Sequence, residues 1–285
     1  MFGYYLDLAL RSLKRNKALT ALMVLAIALG IGASMTTLTV LHVLSGDPLP
    51  GKSARLYRPQ IDPRDMEDYE PGDEPPPQMT WIDGMNLLHA GRAHRQALMG
   101  GGAVQVEPAN GTVDPFIAPA RYTTSGFFPM FDVPFRYGRA WSAADDEARA
   151  RVAVISRELD DKLFGGKDSV GQSLQLGDHS LRIVGVVDDW RPNPHFYDLN
   201  TGHYGANEDV FLPLTTSRDL KLGFNGSMSC WGSGSVSLDK IETAPCTWLQ
   251  FWVQLDTPAK VAAYKSFLVH YSQEQKALGR FQRPP

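Results

Sequence analysis

Few residues in this sequence are spaced for chemistry. His195, Asp198 and His203 share one polar loop, Pro192 to Asn207. Two imidazoles and a carboxylate are a zinc-type donor set, but a closed site wants a fourth ligand and a scaffold. Neither is legible here, so the three are expected to be solvated loop residues, with no metal bound. Asp188-Asp189 closes a strand-like run. Calcium takes six to eight oxygens, so the pair reads as a turn cap. Gly165-Gly166-Lys167-Asp168 lacks the phosphate-cradling G-x-x-x-x-G-K-[ST] frame. No G-x-S-x-G, H-E-x-x-H or Cys-x-x-Cys occurs. No catalytic residue and no cofactor is therefore expected, and the chain is not expected to be an enzyme.

Two cysteines, Cys230 and Cys246, flank a Gly/Ser-rich stretch. A disulfide between them would contribute about 3 kcal/mol by loop entropy; two unpaired thiols are the other reading. Trp231, Trp248 and Trp252 suit either a partner surface or core packing.

The longest element is the run Ala18–Leu44, with no Asp, Glu, Lys or Arg and only His42 ionisable. As a helix it reaches about 40 Å, enough to cross a hydrocarbon core of about 30 Å with tilt. It is too long for the apolar core of a cleaved signal peptide, so a retained transmembrane helix is expected over 18–44. Arg11, Lys14, Arg15 and Lys17 precede it against one acid, Asp7. Positive flanks stay inside, which puts residues 1–17 in the cytoplasm and 45–285 in the periplasm of a bacterial inner membrane. Phe2, Tyr5, Leu6, Ala9, Leu10 and Leu13 recur at near-helical spacing, as in an amphipathic helix against membrane lipid. Ala26, Gly30 and Ser34 lie four apart on one helix face, where small side chains let another helix approach.

Beyond the anchor, 24 cations meet 30 acids, and without a basic cluster nucleic acid is not an expected partner. Asp62 to Pro77 is an acidic, proline-rich loop. A helix opens at Thr80, with Asp83 near a capping-box position and Ile82, Met85 and Leu88 inward, and stops at Gly91. Strands follow over 97–107 and 113–122, joined by a turn with Asn110-Gly111. A strand over 151–156, capped by Ser156, feeds a helix to Phe164; Leu181–Val187 is the most strand-like run. Val210–Leu214 and Trp248–Leu255 are further strands, and Thr257-Pro258 opens a final helix to Ala277. This segregation gives an α+β domain, with residues of about 122–207 inserted as a second subdomain.

The arrangement resembles the MacB-type, FtsX-like permeases of ABC transporters. Leu10-Arg11-Ser12-Leu13-Lys14-Arg15-Asn16-Lys17 precedes a first membrane helix centred on Gly30-Ile31-Gly32. Then come Gly126-Phe127-Phe128, Gly138-Arg139, Val152–Ser156, Leu163-Phe164-Gly165, Val170-Gly171-Gln172 and Ile183–Val187, in the family's order. The resemblance implies a porter-like periplasmic subdomain with an inserted one. It also implies a separate cytoplasmic ABC ATPase near Arg11, Lys14, Arg15 and Lys17, and a second permease copy or homologue. Family members usually carry three further membrane helices, so this chain is expected to be an N-terminal portion or to act with other chains. A single-pass anchored binding or sensor module is the alternative from another class.

Overall fold

A computed structural model describes residues 3–5, 11, 15–44, 46–108, 114–198, 200–202, 205–232 and 236–284, the side chains of 43, 44 and 238 excepted. Lys14, His203, the Asn110-Gly111 turn and most of the amphipathic tail (residues 1–2, 6–10 and 12–14) lie outside them. The chain divides into two units, 1–47 and 48–285.

The first unit is built on α1 (Lys17–Leu44), 28 residues long and so about 42 Å. Among the described residues it is the one helix long and apolar enough to span a membrane. Thr36, Thr37 and Thr39 donate their hydroxyls to the carbonyls of Gly32, Ala33 and Met35. Their polarity is thereby satisfied inside the helix, as an apolar medium requires.

The second unit is a mixed sheet with helices packed on it, an α+β fold. Its strands are β1 (Leu56–Tyr57), β2 (Arg95–Val106), β3 (Phe116–Thr123), β4 (Phe135–Gly138), β5 (Val152–Ser156), β6 (Ser173–Leu176), β7 (His179–Val187), β8 (Val210–Pro213), β9 (Phe224–Asn225), β10 (Ser229–Cys230), β11 (Cys246–Thr247) and β12 (Gln250–Gln254). The main sheet runs β1-β12-β2-β3-β8-β5-β7-β4. Strand β6 pairs with β7 and, through Val106 and Leu176, with β2. The six strands β2, β3, β8, β5, β7 and β6 therefore close a ring of pairings, and closure removes most free edges. Inside it pack Val104, Val106, Ala120, Ile155, Leu176, Ile183 and Leu212, all buried. A second, aromatic core gathers Phe127, Phe128, Phe131, Trp141, Tyr197 and Phe211. The segment 122–207 supplies β4 to β7, and β5 is tied to β8 beyond it.

The helices are α2 (Trp81–Ala90), α3 (Phe127–Met130), α4 (Ala143–Glu147), α5 (Arg157–Phe164), α6 (Leu214–Asp219) and α7 (Pro258–Ala277). Local chemistry sets their ends. Thr80 Oγ1 accepts from Asp83 N–H at the start of α2, and Gly91 closes it in the left-handed region at φ 61°. Ser156, Ser142 and Thr257 cap α5, α4 and α7 in the same way. The inward face of α2 differs from the sequence expectation. Asp83, Gly84 and Leu87 are the buried positions, while Ile82, Met85 and Leu88 are half-buried. A Cβ on Gly84 would stand 2.7 Å from Leu98 Cδ1, so glycine lets the helix sit close on β2. Asp83 can be buried because Tyr271 Oη (2.7 Å) and Arg280 Nη2 (2.8 Å) both donate to its Oδ1. A 3₁₀ turn, Ser53–Arg55, leads into the two residues of β1.

Cys230 and Cys246 are joined by a disulfide across the β10–β11 pair. After α7 the chain folds back as a clasp. Phe281 and Arg283 are buried. Arg283 reaches Asp62 Oδ2 at 3.5 Å, the carbonyls of Asp65 (2.5 Å) and Glu67 (2.7 Å), and the Tyr69 ring at 5.3 Å. The acidic loop is thus held by one cation rather than left free. Arg283→Ala should destabilise the domain by about 2–3 kcal/mol, less than a buried pair stripped of its only partner, because Asp62 keeps Arg64. Hydrogen exchange should then accelerate over 62–73 and leave the strand ring unchanged.

Candidate functional site

A cation is buried against one face of the sheet. Arg121 of β3 is 2 % exposed. Strand alternation places Ile117, Pro119, Arg121 and Thr123 on one face of β3. The neighbour directly across is Gly101 of β2. A Cβ there would stand 2.6 Å from Thr201 Oγ1, so its absence lets the 198–208 loop lie over the sheet and cover the guanidinium.

That loop brings the counter-charges. Arg121 Nη2 donates to Asp198 Oδ2 and to Glu208 Oε1, and Nε donates to Glu208 Oε1 at 3.0 Å. The ring of Tyr197 lies 5.3 Å from the guanidinium carbon, and its hydroxyl donates to Glu208 Oε2 at 2.5 Å. Asp198 Oδ1 accepts from the backbone of Asn200 (2.9 Å) and Thr201 (3.0 Å) and from Gln250 Nε2 (2.7 Å). Burial by itself would strip charge from this cluster, and the opposite charges override it. Arg121 is held above its ordinary value by Glu208 and Asp198. Asp198, which burial would raise, is held well below the carboxylate range by Arg121. Burial, then Glu208, pushes the Tyr197 hydroxyl up.

The residues expected in a solvated loop are placed otherwise. Asp198 is 1 % exposed and His195 4 %. His195 stacks on Tyr197 at 5.8 Å, and its Nε2 meets Asn207 Oδ1 at 2.9 Å. The pairing of Asp198 with Arg121 places His195, Tyr197 and Asp198 in the interior, while Thr201, Gly202, Gly205 and Ala206 stay exposed. Asp188 pairs with Arg157 and Asp189 with Arg191. Trp248 stacks on Trp81 in the core, Trp252 Nε1 donates to Tyr197 O, and Trp231 is half-buried. In the first unit Ala26, Gly30 and Ser34 are exposed along α1, and a Cβ on Gly30 would meet nothing within 4 Å. Arg11, Arg15 and Lys17 are exposed as well. Sequence reasoning missed Arg121, Glu208 and Tyr197. A lone arginine inside the apolar run Phe116–Tyr122 was the available signal.

The model of the MacB-like periplasmic core domain matches residues 20–268. The chain belongs to that family. Two MacB relatives are similar in sequence. The macrolide export ATP-binding/permease protein MacB of Rhodospirillum rubrum is 28% identical over 230 residues, covering 76% of this chain and 32% of that protein. MacB 2 of Aeromonas hydrophila is 29% identical over 89 residues, covering 31% and 12%. This MacB-like chain thus spans about a third or less of the length of the curated relatives it matches. Similar solved structures include the periplasmic region of MacB from Actinobacillus actinomycetemcomitans, at 14% identity and TM-score 0.45 over 71% of this chain and 76% of that one. The extracellular domain of the ABC-type transporter YknZ from Gram-positive bacteria has 12% identity and TM-score 0.44 over 73% and 86%.

Removing one member of a buried pair strands the other charge, at about 3–5 kcal/mol. Asp198→Asn should therefore cost about that much at pH 7. Asp198 titrates below its unfolded value, so its stabilisation is complete above pH ~4 and is lost as pH falls through the folded value. The gap between wild type and Asp198→Asn should narrow in denaturant titrations taken below pH ~4.

Proposed function

We propose that this chain is a permease component of an ABC transporter, passing nucleotide-driven motion from a cytoplasmic ATPase to its periplasmic domain. The observation that carries the reading is the family match, which runs from within the apolar helix to within α7. The helix and the domain therefore belong to one module. Arg11, Lys14, Arg15 and Lys17 keep residues 1–17 cytoplasmic by the positive-inside rule, beside membrane lipid and the separate ATPase. Residues 45–285 are then periplasmic, with about 122–207 as the inserted subdomain of a porter-like whole. Ala26, Gly30 and Ser34 give a second permease copy a face on which to pack. A domain braced by a closed strand ring and a buried ionic centre moves as one body, which suits a coupler. Export and mechanical signalling both fit that role.

A second reading, a membrane-anchored periplasmic binding or sensor module, is favoured by the cleft beside Arg121. Affinity purification of the full chain separates the two. A coupler retains a nucleotide-hydrolysing subunit, identified by mass spectrometry and ATPase activity, and loses it when residues 1–17 are deleted. Purification with no ATPase, from cells that express one of this class, would overturn the coupler and leave the anchored module.

A further inference from the structure

The domain begins with a strap. Over residues 49–55 the chain turns on itself, with Lys52 N and Ser53 N both donating to Leu49 O, at 2.9 and 3.0 Å. Leu49 packs against the aromatic core. Lys52 then reaches a distant segment. Its Nζ donates to Pro129 O at 2.7 Å and to Asp132 Oδ1 at 2.5 Å, with the side chain 12 % exposed. Hydrogen bonds from an ionised donor are stronger than neutral ones.

What Lys52 seats on is the end of α3. Val133 N donates to Phe128 O at 3.0 Å, the six-to-one bond of a helix C-terminus. Asp132, just before it, has φ 51°, the left-handed conformation that such an end takes and that glycine adopts without penalty. For an aspartate that region is sparsely populated. Lys52 offsets the strain by bonding the Asp132 carboxylate and Pro129 O, one of the last-turn carbonyls that a helix cannot bond within itself. Phe131, next to Asp132, is fully buried. Its ring lies 5.7 Å from those of Tyr197 and Trp252, and Trp252 Nε1 donates to Tyr197 O. The Tyr197 hydroxyl in turn donates to Glu208, a counter-ion of Arg121. An unbroken line of contacts thus runs from the strap to the loop that Asp198 and Glu208 anchor.

We propose that Lys52 is a latch: seated on the α3 turn it holds Phe131 against Tyr197 and keeps the 198–208 loop ordered, and when the strap leaves the turn the loop loosens. The turn is the element with two arrangements. Without Lys52, Asp132 relaxes out of the left-handed region and shifts Phe131 beside it. Reciprocity follows: loosening the loop weakens the seating of the strap by the same free energy. Because the strap is the first segment of the domain after α1, control of the loop sits where the chain enters. The device works alike in a coupler and in an anchored module.

The test is hydrogen exchange on the full chain in detergent, read at the Asn200 and Thr201 amides, which donate to Asp198 Oδ1. The strand ring is read at the Arg182 and Ile183 amides, which donate to Arg151 O and Gln172 O. Lys52→Met keeps the aliphatic stem and removes the charge. It should speed exchange at Asn200 and Thr201 about tenfold and leave Arg182 and Ile183 unchanged. Lys52→Arg, which keeps a cation, should have a smaller effect. Adding Asp132→Gly to Lys52→Met should restore protection at Asn200 and Thr201 by about threefold or more, since glycine holds the left-handed turn without a latch. A contact that merely fastens the strap would change exchange over 49–55 alone and gain nothing from the glycine. Should Lys52→Met fail to fold, Asp132→Asn serves instead, at a side chain 62 % exposed. It should speed exchange at the same two amides about threefold. Unchanged exchange at Asn200 and Thr201, a rise shared equally by Arg182 and Ile183, or no recovery with Asp132→Gly would overturn the proposal.

Discussion

The folded domain is constrained first by one buried cation. Arg121 lies on β3, Asp198 and Glu208 at the two ends of the loop before β8, and Gln250 at the start of β12. Placing a guanidinium among these strands is unfavourable in proportion to the water it loses, and only near-complete pairing offsets it. Three segments distant in sequence must therefore arrive in one register. Gly101 is part of the same requirement, because any side chain opposite Arg121 would displace Thr201 and lift the loop that brings the carboxylates. A neutral core could be as stable. What the ion cluster adds is specification: a slipped β3 would put the charge on the other face and strand two acids.

Around that centre the fold is tied at its ends. Lys52 Nζ donates to Pro129 O at 2.7 Å and to Asp132, fixing the entry of the chain to the turn after α3. β1 then adds to the edge of β12, and Arg283 returns to the loop that leaves β1. The first and last described segments of the domain thus share one region of the sheet. The chain ends and the strand ring, closed through β6, are thus tied together by hydrogen bonds, and this bracing follows from connectivity rather than from any single contact.

Much of this architecture was legible because it is written locally. Thr80, Ser156 and Thr257 each cap the helix that follows them, and Gly91, Gly165 and Gly279 adopt the left-handed conformation that ends one. The apolar run of α1 and the strand-like run of β7 are visible from composition alone. The rest depends on contacts no local pattern encodes. Asp198 and His195 read as solvated because their neighbours are polar, yet Arg121, 77 residues earlier, draws Asp198 into the interior. Asp83 looked like a capping-box residue and has that contact with Thr80, but its burial answers to Tyr271 and Arg280 at the far end of the chain. The ring closure rests on one pairing between Val106 and Leu176. In each case the sequence shows one member of the contact and hides its partner.

One arginine also sets the position of a loop. The carboxylates that neutralise Arg121 also anchor the 198–208 loop, through the Asn200 and Thr201 backbone groups on Asp198 and the Tyr197 hydroxyl on Glu208. Loosening that loop takes the counter-charges from Arg121, so the order of the loop and the burial of the cation stand or fall together.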